Sequence, residues 1–401
     1  MTSPPGKLLV PKGFSFSSTA AGLKASGRPD LALVETTPGS AAAAMFTSNR
    51  VVAAPIEVGR ASLTATRGRM RALIVNSGNA NCATGRAGLQ SCKQVCQGVG
   101  RLLKVSPAEV FPSSTGIIGV PLPVEKILSK LPALVTARAA TEQALANFAQ
   151  AIMTTDTRPK YACRSFRVGE SEVVVSGVAK GAGMIHPQLA TMLVYLFTDI
   201  AATPVELRRL LLQTCNQTFN CISIDGDTST NDTVLLMASG QSKVRLRGAL
   251  REKLGTALRE VCESLAQQIV ADGEGVQHLI RLLVEEARNR AEGLRIAKAV
   301  AHSLLVKTAW AGADPNWGRI LAAIGACGVP LDPHKVDIYI GEQLVCRSGV
   351  GFRFDEKKAH HDLAQSQCDV RIRLRRGRSS VVFLTTDLTA EYVHINADYS
   401  T

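Results

Sequence analysis

Short apolar and β-branched runs, among them "ESEVVVSGVAKG", "TMLVYLFTD", "NDTVLLMASG", "KVDIYIGEQLV" and "SSVVFLTTDL", alternate along the chain with amphipathic helical stretches. Runs of this length suit buried strands, and their irregular alternation with helices predicts a mixed α/β fold of layered sheets and helices. "RALIVNSGNAN" reads as a buried strand running into a polar glycine turn over Asn76 to Asn81. "TPVELRRLLLQTC" opens with Thr203, Pro204 and Glu206 in capping-box spacing, which predicts a helix start. A later helix carries Leu254, Leu258, Val261, Leu265 and Ile269 at spacings of three and four, ending near "ADGEG". A chain of 401 residues allows two or three domains at roughly 100 to 200 residues each. No low-complexity linker marks a boundary between them.

Charge narrows the partners. Lys plus Arg number 46 against 33 Asp plus Glu, a positive field that suits small anionic substrates or a polyanion. Much of the excess sits in "VRIRLRRGRSSVV", where Arg371, Arg373 and Arg375 alternate with Val370, Ile372 and Leu374. That period of two places the arginines on one face of a half-buried strand, with Gly377 in a hairpin turn. Aromatic residues make up only 4% of the chain and no stacking motif accompanies the charge, so a solvated strand face is favoured over nucleic-acid binding. The ten cysteines lack any CxxC pair and the seven histidines lack HExxH spacing. Reduced core thiols, a surface pair at His360 and His361, and no metal are expected. No stretch reaches the roughly 18 apolar residues of a membrane helix, and the start lacks a secretory hydrophobic region. These features lead us to expect a protein of the cell interior, with no membrane.

"KGAGMIHPQLATMLVYLFTD" asks why Thr191 follows a flexible, glycine-rich approach and precedes an interior strand. Threonine is a poor nucleophile without an adjacent base. Its own α-amine, with a pKa near roughly 8, serves if the threonine becomes an amino terminus. The hydroxyl can bring this about itself by attacking the Ala190 carbonyl, shifting the acyl group from nitrogen to oxygen and letting water hydrolyse the ester. Gly181, Gly183 and Pro187 would supply the distorted approach. On the residues alone, a structural threonine at a strand start is the commoner reading.

The whole chain resembles the glutamate N-acetyltransferase (ornithine acetyltransferase) family of arginine biosynthesis. The stretches that carry the likeness are "NSGNAN", "PSSTGIIG", "MTTDT", "KGAGMIHPQLATMLVYLFTD", "SIDGDTSTNDT", "DGEG", "VKTAWAGADPNWGRILAAIG" and "DLTAEYVHINADYST". Departures are mild: Ala182 stands where serine is common, and Cys82 lies one position before the usual cysteine.

The resemblance implies an N-terminal-nucleophile-like fold and cleavage between Ala190 and Thr191. The resulting chains, 1–190 and 191–401, would remain one folded unit and assemble further as a heterotetramer of two of each. By position, Thr191 matches the nucleophile, while Thr115 and Gly116 match the oxyanion-hole pair. Thr154, Lys180, Thr191, Glu274, Asn396 and Thr401 match substrate-binding positions, with Thr155 an alternative to Thr154. Glu274 would either bind the substrate's amine or orient the new terminal amine. The implied reaction carries acetyl from N2-acetylornithine to glutamate without a cofactor, in the cytoplasm or, in a eukaryote, the mitochondrial matrix. Some family members also take acetyl from acetyl-CoA, and no residue here decides between the two groups. An N-terminal-threonine amidohydrolase or aminopeptidase is the alternative. In "SIDGDTSTNDT", Asp225, Asp227, Asn231 and Asp232 lack the downstream glutamate of a calcium loop and read as a structural turn. "DPNWGR" is no phosphate loop.

Overall fold

A computed structural model describes residues 8–185 and 192–398. The described chain divides into two compact units, one comprising the described residues up to Asn220 together with Asp227–Ile269, the other Cys221–Gly226 together with the described residues from Val270 to 398.

The first unit contains strands β1 (Phe14–Thr19), β2 (Leu31–Thr36), β3 (Ala41–Phe46), β4 (Ala72–Asn79), β5 (Val110–Ile117), β6 (Lys160–Val168), β7 (Ser171–Lys180), β8 (Leu193–Thr198) and β9 (Thr233–Ala238). Its helices are α1 (Ala54–Ala65), α2 (Gly85–Leu103), α3 (Val124–Thr136), α4 (Glu142–Ala151), α5 (Pro204–Gln217) and α6 (Leu250–Ala271), the last of which leads out of the unit. One sheet runs β1-β2-β4-β5 and another β3-β9-β8-β7-β6. Phe16, Val34, Leu73, Val75 and Phe111 of the first sheet share one core with Val178, Leu193, Tyr195, Phe197, Leu235 and Met237 of the second. On its other face the first sheet buries Leu31, Leu33, Ile74 and Val110 against Val95 and Val99 of α2 and Leu131 and Leu134 of α3. On the second sheet's outer side, the Val261 and Leu265 side chains of α6 crowd Gly177 of β7. Two sheets face each other between helical layers, as the alternating pattern predicts.

Local signals translate directly. Thr203 caps α5 by accepting the Glu206 N–H, and Glu206 returns a carboxylate to the Thr203 N–H. The five apolar residues expected along α6 are fully buried. β7 and β8 pair antiparallel, with Lys180 opposite Leu193, and β8 pairs parallel with β9. The chain on both sides of the 190–191 bond is thereby held in one sheet.

The second unit is built on strands β10 (Leu279–Ala287), β11 (Asp337–Ile340), β12 (Gln343–Arg347), β13 (Val350–Gly351), β14 (Gln367–Arg373) and β15 (Ser379–Thr386), in the order β13-β12-β11-β14-β10-β15. Helices α7 (Arg290–Ala301), α8 (Leu304–Ala311), α9 (Trp317–Ala326), α10 (Glu356–Leu363) and α11 (Ala390–Asp398) complete it. Ile280, Leu282, Val284, Ile338, Val370, Ile372 and Phe383 form its core with Ile296, Val300, Trp310 and Ile320.

Three sequence expectations are corrected. β4 continues through Gly78 to Asn79, so "NSGN" is strand with a register shift rather than turn. "KVDIYIGEQLV" is not one strand but two, β11 and β12, folded back at Gly341. Gly377 does not close a hairpin, because β10 lies between β14 and β15, parallel to one and antiparallel to the other. The arginines of that segment do lie on the less buried face, where they find partners within the unit. Arg371 sits over the Tyr339 ring, Arg373 approaches Glu286 at 3.4 Å, and Arg375 pairs with Asp337. None of the ten cysteines is in a disulfide, and all but Cys163 are buried. Among the described residues no helix is long and apolar enough to cross a membrane.

Candidate active site

β4 and β5 run parallel, and their register sets Ser77 opposite Thr115 and Gly78 opposite Gly116. Gly116 has φ +133°, and a Cβ there would lie 2.3 Å from the Gly78 carbonyl carbon and 2.4 Å from the Asn79 nitrogen. Only glycine fits both the torsion and the space. The pair is therefore part of a strand, not of a Thr-Gly turn. Thr115 is 6% exposed, and among the described residues its hydroxyl makes no hydrogen bond, which leaves it available to an incoming oxygen. The surrounding "NSGNAN" polar groups are spent on structure: Ser114 donates to Asn76 Oδ1 at 2.6 Å, and Asn231 Nδ2 reaches the carbonyls of Ala80 and Ser114 at 2.7 and 2.9 Å. Gly116→Ala is expected to force β4 and β5 apart and to lower the melting temperature by several degrees. Unfolding scans of the purified variant check this.

Lys180 ends β7 almost fully buried, and its ammonium donates to the Thr154 hydroxyl at 3.3 Å. Of the two adjacent threonines, Thr154 is the one Lys180 reaches. Beneath them lies Asp156, which sequence reasoning passed over. Its Oδ2 accepts the Thr154 N–H at 3.0 Å, and its Oδ1 accepts the Gly181 N–H at 2.7 Å and the ammonium of the fully buried Lys160. Burial by itself would raise the Asp156 carboxyl, but Lys160, Lys180 and the Gly181 N–H outweigh it and hold the group below the ordinary aspartate range. One ionised carboxylate thus pairs with the Lys160 ammonium, lies in the field of Lys180, and holds the loop carrying Thr154 and the first residue after β7.

Ala190 and Thr191 lie outside the described residues, as does Thr401. What flanks Thr191 is informative. Gly181 (φ +151°) and the non-glycine Met184 (φ +56°) give the approach the distortion expected of it. Downstream, the Met192 N–H is held by Asp232 Oδ1 at 2.7 Å and its carbonyl accepts the Thr233 N–H at 3.1 Å. Met192 cannot shift along the strand without breaking both. The "SIDGDTSTNDT" segment is therefore more than a turn: Asp225 belongs to the second unit, while Asp227, Asn231 and Asp232 belong to the first, and Asp232 immobilises the residue after Thr191.

In the second unit, Asn396 of α11 donates to Glu274 at 2.9 Å, so these two matched positions meet. The loop of Glu274 is stitched to the segment before α11. Thr389 donates to the Gly275 carbonyl at 2.7 Å, and Asp387 accepts the Gln277 N–H at 3.2 Å. Lys307, buried at the end of "VK", donates to the Thr386 carbonyl and hydroxyl; burial pulls its pKa to about 8 against the opposing pull of Asp387 and Asp225. Spacing gave no hint of Lys307, because its partners lie 79 residues away. Among the described residues no group of three or more His, Cys, Asp or Glu could hold a metal.

A model of the ArgJ family matches residues 15–401. The arginine biosynthesis bifunctional protein ArgJ of Methylococcus capsulatus is 44% identical over 394 residues, covering 97% of this chain and 95% of that protein. Its counterpart from Pseudomonas syringae pv. tomato is 42% identical over 397 residues, covering 97% and 96%. Among solved structures, the ornithine acetyltransferase of Mycobacterium tuberculosis, determined in complex with ornithine, is 39% identical with a TM-score of 0.40, over 44% of this chain and 92% of that one.

Proposed function

Since this chain belongs to the ArgJ family, we propose that it is an acetyltransferase of arginine biosynthesis that moves acetyl from N2-acetylornithine to glutamate through an ester on Thr191. The observation that carries the reading is the setting of position 191. Lys180 at the end of β7 stands opposite the first residue of β8, its ammonium on the Thr154 hydroxyl, and the Met192 N–H and carbonyl are held by Asp232 and Thr233.

The chain first cuts itself. Thr191 Oγ attacks the Ala190 carbonyl, the acyl group passes from nitrogen to oxygen, and water hydrolyses the ester, freeing the α-amine of Thr191. That amine then accepts the hydroxyl proton as Oγ attacks the acetyl carbonyl of acetylornithine. Charge develops on the carbonyl oxygen, where the Thr115 hydroxyl and Gly116 N–H serve as donors. The C–N bond breaks, ornithine leaves with the proton, and the acetyl group remains on Thr191. The glutamate amine attacks this ester, giving N-acetylglutamate and restoring the hydroxyl. Lys180 and Thr154 bind the substrate carboxylate, and Glu274, Asn396 and Thr401 are further substrate contacts. Chains 1–190 and 191–401 stay together, two of each forming a heterotetramer in the cytoplasm, or in the mitochondrial matrix of a eukaryote. No cofactor is needed, and acetyl-CoA is a second donor.

Acetyl-labelled acetylornithine with and without glutamate tests this. Label is expected in N-acetylglutamate, with kcat/KM rising between about pH 7 and 8 as the α-amine loses its proton. Free acetate released equally in both reactions would instead identify an amidohydrolase.

A further inference from the structure

The segment joining β1 to β2 carries a second cation into the same unit. Asp30, wholly buried, accepts the N–H groups of Ala21, Leu23 and Lys24 at 2.6, 2.6 and 3.0 Å and so winds the chain tightly around its carboxylate. That turn lays the stem of Lys24 along Gly78, where a Cβ would meet Lys24 Cγ at 3.2 Å and the Leu23 carbonyl at 3.1 Å. Gly78 is the register partner of Gly116. The stem of Lys24 therefore runs beside the Thr115–Gly116 pair. Its ammonium ends between the Pro29 carbonyl at 2.8 Å and the Ala151 carbonyl at 3.3 Å, three residues before Thr154.

Both acceptors are neutral, and among the described residues no carboxylate lies within ion-pair distance of this ammonium. An ammonium has three N–H bonds, so one remains for an acceptor that the fold does not supply. Burial pulls the Lys24 pKa down to about 8, Asp30 raises it, Arg28 lowers it, and the charges of Asp156 and Lys180 reach it as well. A partly desolvated cation with two neutral acceptors gains most from an anion.

The chemistry of the two acceptors suggests which anion. Ornithine and glutamate both offer an α-amine and an α-carboxylate to the acetyl ester, and they differ at the far end. Ornithine ends in an ammonium and glutamate in a second carboxylate. A site with Lys180 alone would bind the shared carboxylate and leave the distal one without a cation. We propose that Lys24 is the contact for the distal carboxylate of glutamate and so selects the acyl acceptor; this rests on the acetyl-transfer reading above. The competing account makes Lys24 a tie that only fastens its loop to Ala151.

Acceptor competition separates the two. Using acetylornithine as donor, kcat/KM is measured for glutamate and, by exchange of labelled ornithine, for ornithine, in the wild type and in Lys24→Met, Lys24→Gln and Lys24→Arg. The ratio of glutamate to ornithine is expected to fall at least tenfold in the methionine and glutamine variants and to recover in part with arginine. A ratio unchanged while both rates fall together overturns the proposal, as does an arginine variant no better than methionine. If methionine prevents folding, seen as an uncut chain by intact mass, the arginine and glutamine ratios still decide. Failure of the wild type to transfer acetyl to either acceptor would instead defeat the underlying reading.

Discussion

Thr191→Ala is expected to yield one uncut chain of full mass and no acetyl transfer, and the wild type two fragments, the second beginning Thr-Met-Leu-Val. In the proposed mechanism the same oxygen is needed twice, first to cut the 190–191 bond and then to carry the acetyl group, so its removal would end both reactions. Loss of the nucleophile in a serine protease costs on the order of 10⁶ in turnover, and a fall of that size leaves nothing measurable here. Folding should survive, because β8 is secured on both sides by β7 and β9 and the Met192 backbone by Asp232 and Thr233. Circular dichroism and melting of the variant therefore accompany the mass spectrum. Thr191→Ser, which keeps a hydroxyl, should restore cleavage in part. Acetyl transfer by the alanine variant would sink the ester mechanism.

Asp156→Ala should cost more stability than any surface substitution. It withdraws the carboxylate from a buried cluster in which Lys160 is fully inaccessible and Lys180 nearly so, and breaking a buried ion pair typically costs about 3–5 kcal/mol. Two backbone N–H groups, those of Thr154 and Gly181, lose their acceptor at the same time. Poor recovery of soluble protein, or a melting temperature lowered by many degrees, is the expected result. Asp156→Asn keeps the shape and an acceptor oxygen but not the charge, and should fall between the two. Acid makes the same point without a mutation. The native carboxyl is held below its ordinary range, so its contribution is complete above about pH 5 and is lost as pH falls below the unfolded value near 4 toward the native one. The stability of Asp156→Asn should depend less on pH across that window. An asparagine variant as stable as wild type, with the same acid dependence, would show that the cluster contributes nothing.

The parts of this site that could be read from sequence are those written in short continuous motifs. Thr115–Gly116 and Lys180 stand out only because the short motifs around them resemble those of the acetyltransferase family, whereas the capping box at Thr203 declares itself through its own spacing. Asp156 does not, because an acid in "TTDT" is the usual company of a turn, and its partner Lys160 stands four residues on in a non-helical segment. Lys24 escaped for a related reason: its acceptor Ala151 is 127 residues distant. In the arginine-rich stretch, alternation identified the less buried face, since that depends only on the pleat. It did not reveal that β10 would insert beside β14, since strand order is decided by residues elsewhere in the chain. The two compact units were illegible for a similar reason, as the chain passes between them through ordinary folded sequence at Cys221–Gly226 with no linker composition to betray it.

The position of β9 also sets a timetable. Met192 acquires its partners only when Asp232 and Thr233 are available, and β3, formed early in the chain, waits for the same strand. At roughly 5–20 residues per second of synthesis, plus the length held in the ribosomal tunnel, many seconds separate the making of the 190–191 bond from the arrival of the strand that immobilises it. If the chain cuts itself as proposed, cleavage is expected only after the sheet closes, and a nascent chain released at Asn220 is expected to stay intact, which its intact mass checks. Under the proposed mechanism, cleavage would act as a checkpoint on folding, since only a chain whose β8 has found β9 would hold position 191 ready to cut.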